Sequence, residues 1–384
     1  LNCHFGALKP VYIAQKDGPM SAWICRPGVL KSVYIAYRVR EYFRTRRADV
    51  RRAREHRSAF YTELWRDAAK QLGASFEELG NDFVEIRLGN ACTRVQQNCT
   101  SIDDAVTLAV ARNKGFVHRL LAREGLRSPA YCEFTLEQIE KAVAFTKWVG
   151  SDCVVKPANG GGGEGVTTGV ASTYDLVRAA ALASLYDHNL LVEKQEQGEV
   201  YRLLYLDGKL LDAVLRKAPT VIGDGRSSVR ELVGFENRRR LDWGAKLAHS
   251  VVQIDIDMRR TLAKQGLELS SVPEQNAVVT LKMVINDNSQ NDNVSATDLL
   301  CKSIIDDGAA AAAAAGVRLA GVDIITTDPS VPLAQSGGAI LEVNAGPSYH
   351  HHYYKRDGSY PVATHILPHL FAVQHERSSF NSVV

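Results

Sequence analysis

The chain has 384 residues, beyond the roughly 250–300 at which a single hydrophobic core stops growing, so two or three domains are expected. Its 45% hydrophobic and 23% charged residues exclude a chain disordered throughout, and a formal charge of +3 makes no demand for nucleic acid or an anionic membrane. Cys3, Cys25, Cys92, Cys99, Cys132, Cys153 and Cys301 are odd in number and form no CxxC pair; with no leader pattern and no 18-residue uncharged apolar run, this predicts free thiols, a cytoplasmic location and no membrane partner.

Residues 1–32 carry short mixed segments such as PVYIAQ and are read as strands or irregular cover. From 33 to 72 the pattern is helical, because Phe60, Tyr61, Leu64, Trp65, Ala68 and Leu72 recur at three- and four-residue steps and build one apolar stripe. Ahead of that stripe Arg40, Arg44, Arg47, Arg51 and Arg54 share a helical face, which would suit an acidic peptide, a partner protein or RNA; a solvated helix surface is the plainer reading. Residues 83–99 alternate like paired strands turning at Gly89-Asn90. A helix is expected to follow, with Ser101 in the cap position and Asp104 three residues on, ending near Gly125.

Next come a strand near 130–134, a helix over 136–149, and the strand CVVKPA, which runs into four successive glycines. A helix opened by Ser172 and Asp175, the strand NLLVEKQ, and a hairpin turning at Asp207-Gly208 follow. Ala309–Ala315 read as a helix packed closely on its neighbour, ahead of the strands GVDIITT and AILEVNA.

The glycine run decides between three phosphate loops. Gly160, Gly162 and Gly165 satisfy GxGxxG, but that loop opens a helix, and the β-branched VTTGV after it predicts a strand. Gly160 and Gly165 also satisfy the outer spacing of GxxxxGK[ST], yet Val166 stands where the lysine belongs. A glycine hairpin over nucleotide phosphates remains, with Gly160, Gly161, Gly162, Gly163 and Gly165 offering backbone N–H groups and Lys156 a fixed charge; the alternative is a surface hairpin whose glycines only permit a tight bend.

Near the C-terminus Glu342 and Asn344 lie two apart on one strand, so both project to one face while Leu341 and Val343 are expected in the core. Should the strand of Asp323 pair with it, a third oxygen joins them, a donor set suited to Mg²⁺ with nucleotide phosphates; the bland alternative makes Asp323 and Glu342 strand-end and edge polar residues.

NKGFVHRLLAREG, VVKPANGGGGEGV, LLVEKQEQG, RKAPTVIGDGRSSVRELV, AGVDII and ILEVNAGPSYHHHYY occur in the order found in the ATP-grasp carboxylate–amine ligases. Over roughly residues 75–360 the chain resembles them, above all the ATP-grasp module of the cyanophycin synthetases and related peptide ligases. The resemblance implies an α/β (α+β) ATP-grasp fold, two α+β subdomains gripping ATP. The corresponding divisions are an N-terminal domain with the arginine helix at 1–100, a subdomain with the glycine loop at 101–195, and a C-terminal subdomain with the metal ligands at 196–384.

It further implies that Lys114 and Lys156 contact ATP phosphates under the glycine loop, that Glu193 and the adjoining hinge at Lys194 hold the adenine, and that Asp323, Glu342 and Asn344 bind Mg²⁺, with Mn²⁺ the alternative ion. Arg216 would meet phosphate or the intermediate, and Arg216 and Arg202 are the implied catalytic residues, stabilising the negative charge of the phosphoryl-transfer and tetrahedral states. Two segments depart from the family pattern. Val200 stands where an acid usually holds the ribose, leaving Glu199 as the substitute, and NDNSQNDNVSATD lacks the usual glycines. No Mur-ligase-like module follows, so a single coupling is expected.

The implied chemistry is attack of a substrate carboxylate on the γ-phosphate, giving an acyl phosphate and ADP, then capture by an amine. The substrates expected are amino acids or peptides; a homodimer stays open. Ser348, Tyr349, His350, His351 and His352 are read as polar groups of the substrate pocket, with the histidines a proton acceptor for the amine, or else as a structural loop. The alternatives are an ATP-grasp kinase or protein-tail-modifying ligase and, from another class, a silent nucleotide- or RNA-binding protein.

Overall fold

In the computed structural model residues 32, 34–39, 48–244, 250–289 and 292–381 are described. The expected cover over 1–31, and Arg40, Arg44 and Arg47 of the arginine face, lie outside the described residues.

Helix α1 (Ala48–Gln71) buries the stripe read from its periodicity, Phe60, Tyr61, Leu64, Trp65 and Ala68, against an antiparallel sheet of β1 (Ser75–Gly80), β2 (Phe83–Leu88) and β3 (Ala91–Gln96). The turn between β2 and β3 falls at Gly89-Asn90, as the sequence suggests; β1 was not signalled by its largely exposed residues. One continuous helix over 101–125 is not what forms. Asp104, not Ser101, caps α2 (Ala105–Arg112), and Asn113 takes an extended conformation and caps a second helix, α3 (Lys114–Arg123), through its side chain. Asx side chains satisfy orphan helix N–H groups wherever they fall, so two successive caps divide one apolar pattern into two helices.

A four-stranded antiparallel sheet follows. It is ordered β4-β7-β5-β6, from β4 (Tyr131–Phe134), β5 (Cys153–Pro157), β6 (Thr167–Val170) and β7 (Leu190–Lys194). Helices α4 (Ile139–Val149) and α5 (Thr173–Ala183) close its core through Phe145, Leu176 and Ala180. Ser172 caps α5, as expected.

The largest sheet has the order β12-β9-β8-β13-β14 and is antiparallel throughout. Its strands β8 (Glu199–Leu206) and β9 (Lys209–Arg216) turn at Asp207-Gly208, where φ is 49° and 75°. Between β9 and β12 (Asn293–Ser295) the chain inserts a unit not foreseen from sequence: β10 (Thr220–Ile222), α6 (Val229–Asp242), α7 (Ile256–Lys264) and β11 (Val278–Thr280), with a core around Val233, Met258, Leu262 and Leu281.

The alanine-rich α8 (Lys302–Ala314) packs on the large sheet, where a Cβ at Gly308 would run into Tyr205 Oη. Strand β13 (Leu319–Thr326), the short α9 (Leu333–Ser336) and β14 (Ala339–Ala345) follow, then α10 (His350–Tyr353) and α11 (Val362–Asn381). Ile366, Leu367 and Leu370 of α11 join the α1 core, so both ends of the described chain build it.

Alternation along β8 and β13 sends Tyr201, Leu203, Val322 and Ile324 into the core under α8, which leaves Arg202 and Asp323 on the opposite face. Among the described residues no helix is long and apolar enough to cross a membrane.

Candidate active site

The break at Asn113 positions the first cation. With Lys114 as the first residue of α3, its backbone N–H donates to Ala158 O (2.9 Å), tying the helix start to the end of β5. Its Nζ donates to Gly160 O at 2.6 Å and lies 3.2 Å from Glu342 Oε1, so one ammonium joins the glycine loop to β14.

The glycine loop leaves β5 and returns as the antiparallel β6, the hairpin form expected of it. Gly160, Gly162, Gly163 and Gly165 all have positive φ, a conformation that a Cβ would strain. Gly165 is also packed shut: an added Cβ would lie 2.7 Å from Tyr186 Cδ2 and 3.2 Å from Ala183 Cα, whereas Gly161 has open space around it. Asn159 pins the entry to the loop, with its backbone N–H and side-chain amide both donating to Asp187 Oδ2.

One wall of the cleft belongs to the four-stranded sheet. Glu193 on β7 accepts from Lys156 on the adjacent β5 (2.7 Å) with one oxygen and contacts His118 Nε2 (2.8 Å) with the other. Burial alone would raise the Glu193 carboxyl, but the charge of Lys156 and the contact with His118 outweigh it and hold the carboxyl down to about 2. Lys194 is exposed and pairs with Glu196 (3.0 Å), while Glu199 is exposed and lines the cleft beside Val200. His118 was not foreseen: it sits mid-helix with no local signal and reaches Glu193 only through tertiary packing, its ring 4.8 Å from that of Tyr131.

The opposite wall is one face of the large sheet. Arg202 and Asp323 are register partners on β8 and β13 and form a bidentate pair at 2.6 and 2.7 Å. Glu342 is the register partner of Asp323 on the other side, and Asn344 Nδ2 lies 3.4 Å from Asp323 Oδ2. Arg216 stands 3.9 Å from Asp323, and burial, followed by repulsion from Arg202, pushes its guanidinium down to about 10. Its Nε is buried without an acceptor among the described residues, as a site built to receive an anion would leave it. Asp323 is desolvated too, yet Arg202 keeps its carboxyl below the ordinary range.

Leu341 departs from the expected core position. The pairing of β13 with β14 shifts register between Asp323 and Ile324, inserting one residue, and Leu341 lines the cleft while Val343 stays buried. Together the two walls and the loop enclose about 850 Å³, which is adequate for a nucleotide.

The oxygen donors fit a divalent ion. Asp323, Glu342 and Asn344 lie on one sheet face, and although Asp323 and Glu342 each already face a cation, a carboxylate has lone pairs to share. The third donor would be the Asn344 amide oxygen; among the described residues no three His, Cys, Asp or Glu side chains group as metal ligands.

A second cavity of about 640 Å³ adjoins the cleft and shares Arg112, Glu164, Arg202, Arg216, Asn344 and Gly160–Gly162 with it. Ser348, His350 and His351 line it, but Tyr349 and His352 do not. Tyr349 is wholly buried in the α1 core, edge-on to Tyr61 and Trp65, with its Oη donating to Asn98 O. His352 is buried against Asp212, which also accepts from Lys355. Burial, then the charge of Arg216, keeps His351 neutral, the form that accepts a proton.

No family model matches the chain. It is 30% identical over 309 residues to a cyanophycin synthetase of Trichormus variabilis, covering 76% of this chain and 34% of that protein. It is 29% identical over 305 residues to the glutathione biosynthesis bifunctional protein GshAB of Enterococcus faecalis, covering 77% of this chain and 40% of that protein. The chain thus spans well under half the length of these curated relatives. Among solved structures it is similar to a bifunctional glutathione synthetase from Pasteurella multocida, with a TM-score of 0.54 and 25% identity over 81% of this chain and 43% of that one.

Proposed function

The chain is an ATP-grasp protein, and from that premise we propose that it is an ATP-dependent ligase joining a carboxylate of an amino acid or peptide to an amine through an acyl phosphate. The observation that carries this reading is the bridge made by Lys114 between Gly160 of the loop and Glu342 of the sheet, which joins the groups read here as binding phosphate and metal. In this reading the halves at 101–195 and 196–384 close on one nucleotide.

Lys114 and Lys156 hold the phosphates, with the loop from Gly160 to Gly165 laid over them. The apolar side chains of Val154, Val200 and Leu341 pack on the base, near Lys194, and Glu199 at the cleft mouth serves the ribose. Glu193 acts from behind, fixing the Lys156 ammonium. A divalent ion, Mg²⁺ or Mn²⁺, held by Asp323, Glu342 and Asn344, would neutralise phosphate charge. Arg216 lines both cavities, so its guanidinium is placed to stabilise charge as the carboxylate attacks and again as the amine adds. Arg202 keeps Asp323 ionised and oriented. A closed glycine loop excludes water from the acyl phosphate.

Pure protein with ATP, Mg²⁺ and pooled amino acids and dipeptides is expected to release ADP and phosphate only when carboxylate and amine donors are both present, with an amide mass appearing and turnover lost in Glu342→Ala. ADP release with a stable phosphorylated product and no amide identifies a kinase instead.

A further inference from the structure

The unit inserted between β9 and β12 has a core of its own, yet its polar residues reach the opposite wall of the cleft. Its α7 packs on β6, the strand that returns from the glycine loop. Arg260 donates to Asp175 Oδ1 at 2.8 Å and to Gly169 O, and Lys264 pairs with Asp152 at 2.8 Å. Partly exposed contacts of this kind are enough to dock one unit on the other. Asp257 adds something different. It is almost wholly buried and accepts from three neutral donors: Thr168 Oγ1 to its Oδ1 at 2.8 Å, and the backbone N–H groups of Met283 (3.1 Å) and Val284 (3.0 Å) to its Oδ2. Burial raises its carboxyl above the ordinary value, against the charge of Lys282. A carboxylate is therefore kept at this junction at a desolvation cost that docking alone does not require.

The segment 283–285 that Asp257 holds lines the nucleotide cleft, and Ile285 O accepts from Arg216 Nη2 at 3.3 Å. Lys282, just before it, is buried between Asp255 (2.6 Å) and Asp287 (2.8 Å), so the segment is braced at both ends. Arg216 has few other holds: Asp323 is 3.9 Å away and Arg202 repels it, so the bond to Ile285 bears on where its guanidinium points. A contiguous path thus runs from Thr168 on one wall, through Asp257 and the main chain at 283–285, to Arg216 on the other. Resting on the ligase reading, we infer that Asp257 is a positioning residue that couples the glycine loop to Arg216, so that closing the loop over the phosphates and placing the guanidinium on the reacting groups are one event. Thr168 moves with the loop, three residues beyond Gly165 on the returning strand. The link keeps Arg216 from acting in an open site, where water would consume the acyl phosphate.

Amide hydrogen exchange reads the coupling directly, because the Met283 and Val284 N–H groups are the ones bonded to Asp257. In the native chain a non-hydrolysable ATP analogue with Mg²⁺ is expected to slow exchange at 160–165 and at 283–284 together. Thr168→Val cuts the loop end of the path and keeps a β-branched strand residue; slowing at 160–165 should remain and that at 283–284 should be lost. Lys264→Ala, a docking contact off the path, should keep both. Protection at 283–284 that persists in Thr168→Val comes from the nucleotide itself and overturns the inference, as does an equal loss in Lys264→Ala or a loop that does not respond. In turnover, Asp257→Ala should lower kcat about tenfold while affinity for the analogue changes by less than about twofold. Asp257→Asn, which still accepts from the main chain and can donate to Thr168 Oγ1, should recover most of that loss. Adding Thr168→Val to Arg216→Gln should cost little beyond Arg216→Gln alone. An unchanged kcat in Asp257→Ala, or losses that multiply in the double variant, contradict the coupling. If the native chain forms no amide, the ligase reading fails, and the exchange measurement, which needs only the analogue, decides the inference alone.

Discussion

The two walls of the cleft each bury a carboxylate against a cation, but they are built differently. On the large sheet Arg202, Asp323 and Glu342 are register neighbours on three adjacent strands, and Arg202 grips both oxygens of Asp323. On the smaller sheet Glu193 divides its oxygens between Lys156 of the neighbouring strand and His118 of α3, which packs with the large sheet. The Arg202–Asp323 pair of the first wall is set by strand pairing. The second is tied through His118 to a separate core, so its geometry depends on how the two sheets sit together, as the proposed closure of the glycine loop would require.

The contrast predicts a ranking of effects. Arg202→Ala strands a buried Asp323 in a wall with little room to relax, and should cost about 3–5 kcal/mol in chemical denaturation together with all turnover. A loss under about 1 kcal/mol would mean that the wall is better hydrated than its burial implies.

Glu193→Gln comes next. The Glu193 carboxyl is depressed to about 2 from an ordinary 4.5, so its stabilisation is fully present above pH 4.5 and is lost as pH falls toward 2. Denaturation midpoints should show a contribution on the order of 3 kcal/mol at pH 7 that shrinks through this window in the native chain and is missing from the variant. Equal acid sensitivity of the two proteins would remove the Glu193–Lys156 ion pair from the comparison.

Within the loop, Gly165→Ala should cost about 1–3 kcal/mol because the added methyl meets Tyr186 and Ala183 at positive φ. Gly161→Ala, in open space, should stay within about 0.5 kcal/mol, although it sits in the same run. Matching losses at the two positions would mean that the loop is tight along its whole length.

Much of the site was legible because it is local. The period of two put Glu342 and Asn344 on one face, the β-branched VTTGV foretold a returning strand after the glycines, and Asp207-Gly208 announced its hairpin. What sequence missed depends on distant partners. The inserted residue that turns Leu341 into the cleft is visible only once β14 pairs with β13, and His118 gains its role only when α3 meets β7. Tyr349 was grouped with the histidines by adjacency, yet one residue of α10's approach turns it into the α1 core while Ser348 and His350 face the second cavity. The unit at β10–β11 escaped because its strands are short and the polar α6 gives weak periodicity.

The most direct test is a crystal structure with Mg²⁺ and a non-hydrolysable ATP analogue. Its γ-phosphate should lie between Lys114 and Lys156 with the metal on Glu342, Asn344 and Asp323, under Gly160–Gly165. A nucleotide bound elsewhere, or a metal that bypasses Glu342 and Asn344, would contradict the convergence of the two walls on one substrate.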